Sequence, residues 1–154
     1  MNQSFTVVCS VMEAKLSNQQ KDQLENEFLK NYQDVFGTST RIKILWMSFP
    51  EGQAYVAGKP SSNPTMLAPV PDNTDQAKRS VFLYSLLESW VTLSGYKKDQ
   101  VVISAADQSL ADQFMKTNQQ RVSSLKRPLM MAKIITRLIR SKIQVGRLES
   151  SINL

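Results

Sequence analysis

Apolar residues stand at every second place near the start of the chain: Phe5, Val7, Cys9 and Val11, interleaved with Thr6, Val8 and Ser10. A period of two in β-forming residues predicts a strand with one buried face. The period then lengthens. Ser17 and Gln20 form a capping-box pair, Leu24, Phe28 and Tyr32 recur at helical spacing, and Gly37 can stop the run. A helix of about five turns is expected there. Ile42, Ile44 and Trp46 return to a period of two within Arg41 to Phe49, before Pro50 and Gly52 signal a turn.

The same order then repeats. Met66 to Val70 reads as a strand, and Pro71-Asp72-Asn73-Thr74 closes it and offers helix caps. Val81, Tyr84, Leu87, Trp90 and Val91 mark a helix that Gly95 ends, and Gln100 to Ala106 is a further strand. Corresponding points, Ser17 with Thr74, Arg41 with Gln100 and Phe5 with Met66, lie 57, 59 and 61 residues apart. The expectation is an α+β fold with a duplicated βαβ unit: a four-stranded sheet with two helices on one face. Such a sheet leaves its other face bare, and Leu45, Met47 and Ile103 or its neighbours make that face apolar. Association of copies about a symmetry axis would cover it in every subunit.

The last 31 residues follow another rule. From Pro128 onward, Met131, Ile134, Ile135, Leu138 and Ile139 fall on one arc of a helix and Lys133, Arg137 and Arg140 on the opposite one, up to Gly146. The division expected is a body over residues 1–123 and a basic amphipathic extension over 124–154. Charge supports the division. The net charge is +6, yet residues 1–123 carry 12 cations and 12 anions, whereas residues 124–154 carry seven cations and Glu149 alone. Three partners for the extension are open: its own or a neighbouring subunit, an anionic membrane surface, or nucleic acid. The last is weakest, because the basic arc has no aromatic residue for stacking and the body is neutral.

At 154 residues the chain is one ordinary domain in size. The absence of histidine and the single cysteine exclude Ser-His-Asp and Cys-His catalysis, histidine or cysteine-rich metal sites and an internal disulfide. No metal and no cofactor are expected. No run reaches the roughly 18 to 20 apolar residues of a membrane span, and no basic segment precedes the short apolar stretch as in a secretory signal. Lone Cys9 fits a reducing compartment, and a cytoplasmic protein is expected. Its place in the strand reads as core packing rather than nucleophile, and Trp46 and Trp90 likewise read as core or interface.

Several segments resemble the tautomerase superfamily, which includes macrophage migration inhibitory factor, 4-oxalocrotonate tautomerase and the cis-3-chloroacrylic acid dehalogenases. They are Ser4-Phe5-Thr6-Val7, Leu16-Ser17-Asn18-Gln19-Gln20-Lys21, the turn from Phe49 to Pro60 (FPEGQAYVAGKP) and Val101 to Asp107 (VVISAAD). The resemblance spans roughly Gln3 to Val122 and is most specific in the turn. It implies a homotrimer with sheets facing a central axis, and keto-enol isomerase activity on a small enol or unsaturated acid.

The resemblance also implies a base on an amino-terminal proline. The opening here is Met1-Asn2-Gln3-Ser4, so the proline is missing. Asn2 is moreover a poor signal for methionine removal. Where the dehalogenases have arginines after the third strand, this chain has Asp72 and Asp75, and Val102 and Ser104 stand where the inhibitory factor has a tyrosine and an asparagine.

The candidates for catalysis are then Asp107, Lys59 and Tyr55, and those for substrate binding are Ser4, Arg41 and Ser104. Asp107 can instead cap a helix beginning near Ser109, and Lys59 can be an exposed turn lysine. Two functional classes stay open: a tautomerase lacking its proline, or a non-catalytic relative that binds or assembles through its basic helix.

Overall fold

The computed structural model describes residues 4–37, 41–121 and 127–151. The first βαβ unit is β1 (Ser4–Met12), α1 (Asn18–Phe36) and β2 (Arg41–Phe49). A two-stranded hairpin, β3 (Tyr55–Val56) and β4 (Lys59–Pro60), fills the link to the second unit. That unit is β5 (Thr65–Val70), α2 (Gln76–Ser94) and β6 (Val102–Asp107). Then come α3 (Gln108–Gln120), α4 (Arg127–Val145) and β7 (Leu148–Ser151). The class is α+β and the βαβ duplication is present. The boundary expected at residues 123 and 124 lies outside the described residues.

The sheet runs β6-β5-β1-β2-β7. Within each unit the two strands are parallel, and the units join antiparallel through Val8 and Leu67, Cys9 and Met66, Ser10 and Thr65. One strand more than the expected four is present. β7 adds in parallel to β2, with Leu45 opposite Leu148 and Met47 opposite Ser150. The four-residue run Leu-Glu-Ser-Ser is too short and polar to show a strand period, so the extension reads from its sequence as helix alone.

Both long helices start and stop on local chemistry. Ser17 Oγ accepts from the Gln20 amide at 3.2 Å and Gln20 Oε1 from the Ser17 amide at 2.9 Å, which completes the capping box. Asp75 caps α2 through the Lys78 amide, and Gly95, at φ 76°, ends it in the left-handed conformation that glycine adopts without strain. The two helices share one face of the sheet. Between them and Phe5, Val7, Cys9 and Val11 lies the core, where Phe5, Phe28, Tyr32, Phe36 and Phe82 form an edge-to-face and tilted aromatic cluster. Trp46 and Trp90 are fully buried against one another, as core residues.

The inward face of α2 differs from the expected one. Phe82, Leu86 and Trp90 are buried, whereas Val81 and Tyr84 are 58% and 69% exposed. The helix is apolar on nearly every side, so periodicity cannot choose a face; the four-residue spacing from 82 to 90 meets α1 and the sheet.

Candidate functional site

Two parallel strands that begin together give the site its frame. Ser4 opens β1 and Arg41 opens β2, and the two are register partners. Because β5 runs back antiparallel and β6 follows it, Val70 and Asp107 return to this same end. Ser4, Arg41 and Asp107 therefore share one end of the sheet, although three strand spacings, about 14 Å, separate the rows of Asp107 and Arg41. Tyr55 and Lys59 do not join them. They sit in the exposed β3–β4 hairpin after Phe49, at the opposite end. Ala57 and Gly58, at φ 50° and 75°, make its two-residue turn.

The Asp107 carboxylate is already held. Arg79 Nη2 donates to Asp107 Oδ1 at 2.7 Å and to Thr74 O at 3.2 Å, and its Nη1 donates to Ala105 O at 2.7 Å. The guanidinium fixes the end of β6 to the first turn of α2. The capping bond at the start of α3 comes from elsewhere: Asp72 Oδ1 accepts from the Ser109 amide at 2.9 Å. Ser104 lies on the uncovered face of β6, exposed, with a long 3.4 Å bond to Met66 O.

Three concavities surround these residues. The first, about 300 Å³, opens where β2 runs ahead of β7, and Glu25, Leu29, Arg41, Lys43, Lys142 and Arg147 help to line it. Arg41 and Lys43 have no ion-pair partner among the described residues. Arg147, 2% exposed, donates to Asn18 Oδ1 at 2.8 Å, Asn18 O at 3.1 Å and Asp22 Oδ1 at 2.5 Å. One oxygen of Glu25 accepts from Trp46 Nε1 at 2.7 Å. The second, about 230 Å³, lies under α3 on the uncovered face, with Ser4, Thr6, Val8 and Leu67 as floor and Ala111 and Met115 as roof. The third, about 270 Å³, is an apolar groove between α2 and β6.

Sequence reasoning missed Glu25, Lys43, Arg79, Lys142 and Arg147. Lys142 donates locally, to Gly146 O, but the residues it shares the cleft with, like the partners or neighbours of the other four, are remote in sequence, so no local spacing marks the group. Among the described residues no group of three His, Cys, Asp or Glu could hold a metal ion, and no helix is long and apolar enough to cross a membrane. Burial, with a smaller contribution from the charge of Glu25, drives the Cys9 thiol far above its ordinary range. Burial also raises Tyr96, whose hydroxyl donates to Ser62 O at 3.1 Å.

No family model and no curated protein sequence matches the chain. Solved structures do. The structure of native Ps01740 is 18% identical with a TM-score of 0.64, over 67% of this chain and 93% of that one. A fused 4-OT, described as an asymmetric trimer, is 14% identical with a TM-score of 0.61, over 67% and 85%. N1, a member of the cis-3-chloroacrylic acid dehalogenase family, is 8% identical with a TM-score of 0.63, over 67% and 74%. At these identities the likeness is one of fold, and it agrees with the fold that the sequence resemblance implies.

Proposed function

We propose that this tautomerase-fold chain assembles as a homotrimer and binds a small carboxylate-bearing molecule, an enol or unsaturated acid, in the cleft around Arg41. The observation that carries the reading is that Arg41, Lys43 and Lys142 all border one cleft at the sheet edge, which Leu29 lines from the α1 side while Arg41 and Lys43 approach it from the uncovered face. An arginine fork suits a planar carboxylate, and the two lysines add charge without demanding a geometry. Self-association is supported by the part of the sheet face that neither α1, α2 nor α3 covers, where Leu45 and Met47 are only half-buried, and by the trimeric fused 4-OT of the same fold. The reading needs no cofactor. Buried, unpaired Cys9 suits a reducing cytoplasm.

A non-catalytic role is favoured by the state of the candidate acid and base groups. Asp107 is tied to Arg79, and Tyr55 and Lys59 stand at the far end of the sheet in the same chain. Weak keto-enol tautomerisation is the second reading. Glu25 supports it, since a carboxylate that lines the same cleft as four cations, Arg41, Lys43, Lys142 and Arg147, can accept a proton beside groups that stabilise a developing enolate.

Titration calorimetry and a ketonisation assay with the enols of phenylpyruvate and 2-hydroxymuconate separate these. The proposal expects binding that weakens tenfold or more in Arg41→Ala, with no turnover. Turnover abolished in Glu25→Gln would establish the tautomerase reading, and turnover abolished in Lys59→Ala or Asp107→Asn would restore the sequence-derived site. Absence of binding by either enol would overturn the assignment of the cleft.

A further inference from the structure

Helix α4 exposes a ridge of aliphatic side chains. Ile135, Ile139 and Ile143 are 49%, 56% and 79% exposed and succeed one another at four-residue spacing, about 6 Å per step along the axis. β7 is the element against which α4 packs, so among the described residues nothing covers this ridge. Among the described residues no side chain fills the apolar groove between α2 and β6 either. Leu83, Tyr84 and Leu87 form one wall and Val101 and Ile103 the other, with Tyr84 69% exposed.

The sheet order sets ridge and groove apart. α4 leads through Gly146 into β7 at one edge, and the groove borders β6 at the other. Four strand spacings, about 19 Å, lie between those edges, so the two features cannot meet within one chain. In a closed ring joined through the sheet edges, the β7 edge of each subunit would face the β6 edge of the next, a head-to-tail contact that closes on itself. We propose that the α4 ridge of one copy seats in the α2–β6 groove of its neighbour. The proposal rests on the homotrimer reading and adds the surfaces that join the subunits.

The chemistry of the two surfaces agrees. The groove has no charged residue in its lining. Lys133, Arg137 and Arg140 occupy a separate arc of α4, and Lys142, which flanks the ridge, already donates to Gly146 O, so the ridge itself carries no charge into the groove. A lipid surface is the competing occupant. The ridge has no Trp, Tyr or Phe to anchor at a headgroup layer, which favours a protein groove.

The test uses the full chain with Ile139→Cys and Tyr84→Cys together, since buried Cys9 offers no competing thiol. Mild oxidation should yield covalent dimers and trimers on a non-reducing gel from the double variant. Mixed single variants should yield dimers alone. Ile139→Glu should lower the mass measured by light scattering. If wild type is trimeric, the double variant stays uncrosslinked and Ile139→Glu keeps its mass, the clasp is wrong and the trimer stands. A monomeric wild type removes both. Flotation with phosphatidylserine vesicles that Ile139→Glu abolishes, with the mass unchanged, would give the ridge to lipid and overturn the proposal.

Discussion

Arg79 decides what Asp107 can do. A carboxylate that accepts a 2.7 Å bond from a guanidinium is a poor general base, and the same fork holds two backbone carbonyls. Arg79→Met removes all three bonds from a partly buried place and is expected to lower stability by about 2–3 kcal/mol. Asp107→Asn leaves the carbonyl bonds and should lower it by about 1 kcal/mol or less, because the pair is part-exposed and screened. Urea denaturation midpoints measure both; equal losses would make Asp107 the principal anchor. Tyr96 supplies a pH dependence. Burial raises its folded pKa above the unfolded value, so the folded state retains its proton when the unfolded state has lost it. Stability should be unaffected below about pH 10, the ordinary tyrosine value, and fall as pH rises past it. Tyr96→Phe should flatten that fall in alkaline denaturation curves. The sequence marks Asp107 by its place at a strand end. It cannot mark the arginine 28 residues earlier, on a helix turn that reads as solvated surface.

Elements whose cause is local were legible, and those held by remote partners were not. Ser17, Gly37 and Gly95 sit beside the groups they cap, so α1 begins and ends and α2 ends where the pattern sets them, whereas α2 is opened by Asp75, one residue past the caps offered by Pro71 to Thr74. β7 has no such mark. Its place comes from Arg147, which reaches Asn18 and Asp22 at the start of α1, and from Glu149, which accepts from buried Lys21 at 2.5 Å. These bonds span more than 120 residues of sequence and leave no periodicity behind. Arg147→Met should therefore release β7 while α1 and the core persist, at about 2–3 kcal/mol for a charged donor removed from three bonds. Hydrogen exchange at the amides of Leu148 to Ser151 should rise by at least tenfold, with the amides of Val7 to Val11 unchanged. Uniform acceleration across the sheet would instead mean that β7 is integral to global folding. The cleft shares this origin. Arg41 was readable at the start of its strand, but Lys43 was not, and Lys142 and Arg147 reach the cleft only because the tail folds back.

For the whole molecule, the decisive quantity is the apolar surface left facing water. One sheet face is sealed by α1 and α2; on the other, α3 covers the part near β5 and β6, and Leu45 and Met47 remain half-exposed. A monomer with a face of this kind is prone to associate, and a cyclic arrangement buries the same patch in every copy. Leu45 tests the point because it stands on the uncovered face opposite Leu148, away from the aromatic core. Leu45→Glu should change the stability of an isolated subunit little, since the new carboxylate meets water there. Within an assembly it must be desolvated without a partner, which is expected to cost several kcal/mol per subunit and to dissociate the assembly. Light scattering should report monomer for the variant and trimer for wild type. Thermal unfolding should rise with protein concentration in wild type and lose that dependence in the variant, because only the associated state is linked to concentration. A variant that keeps its mass while melting at a lower temperature would locate Leu45 inside the subunit core, and the uncovered face would no longer support association.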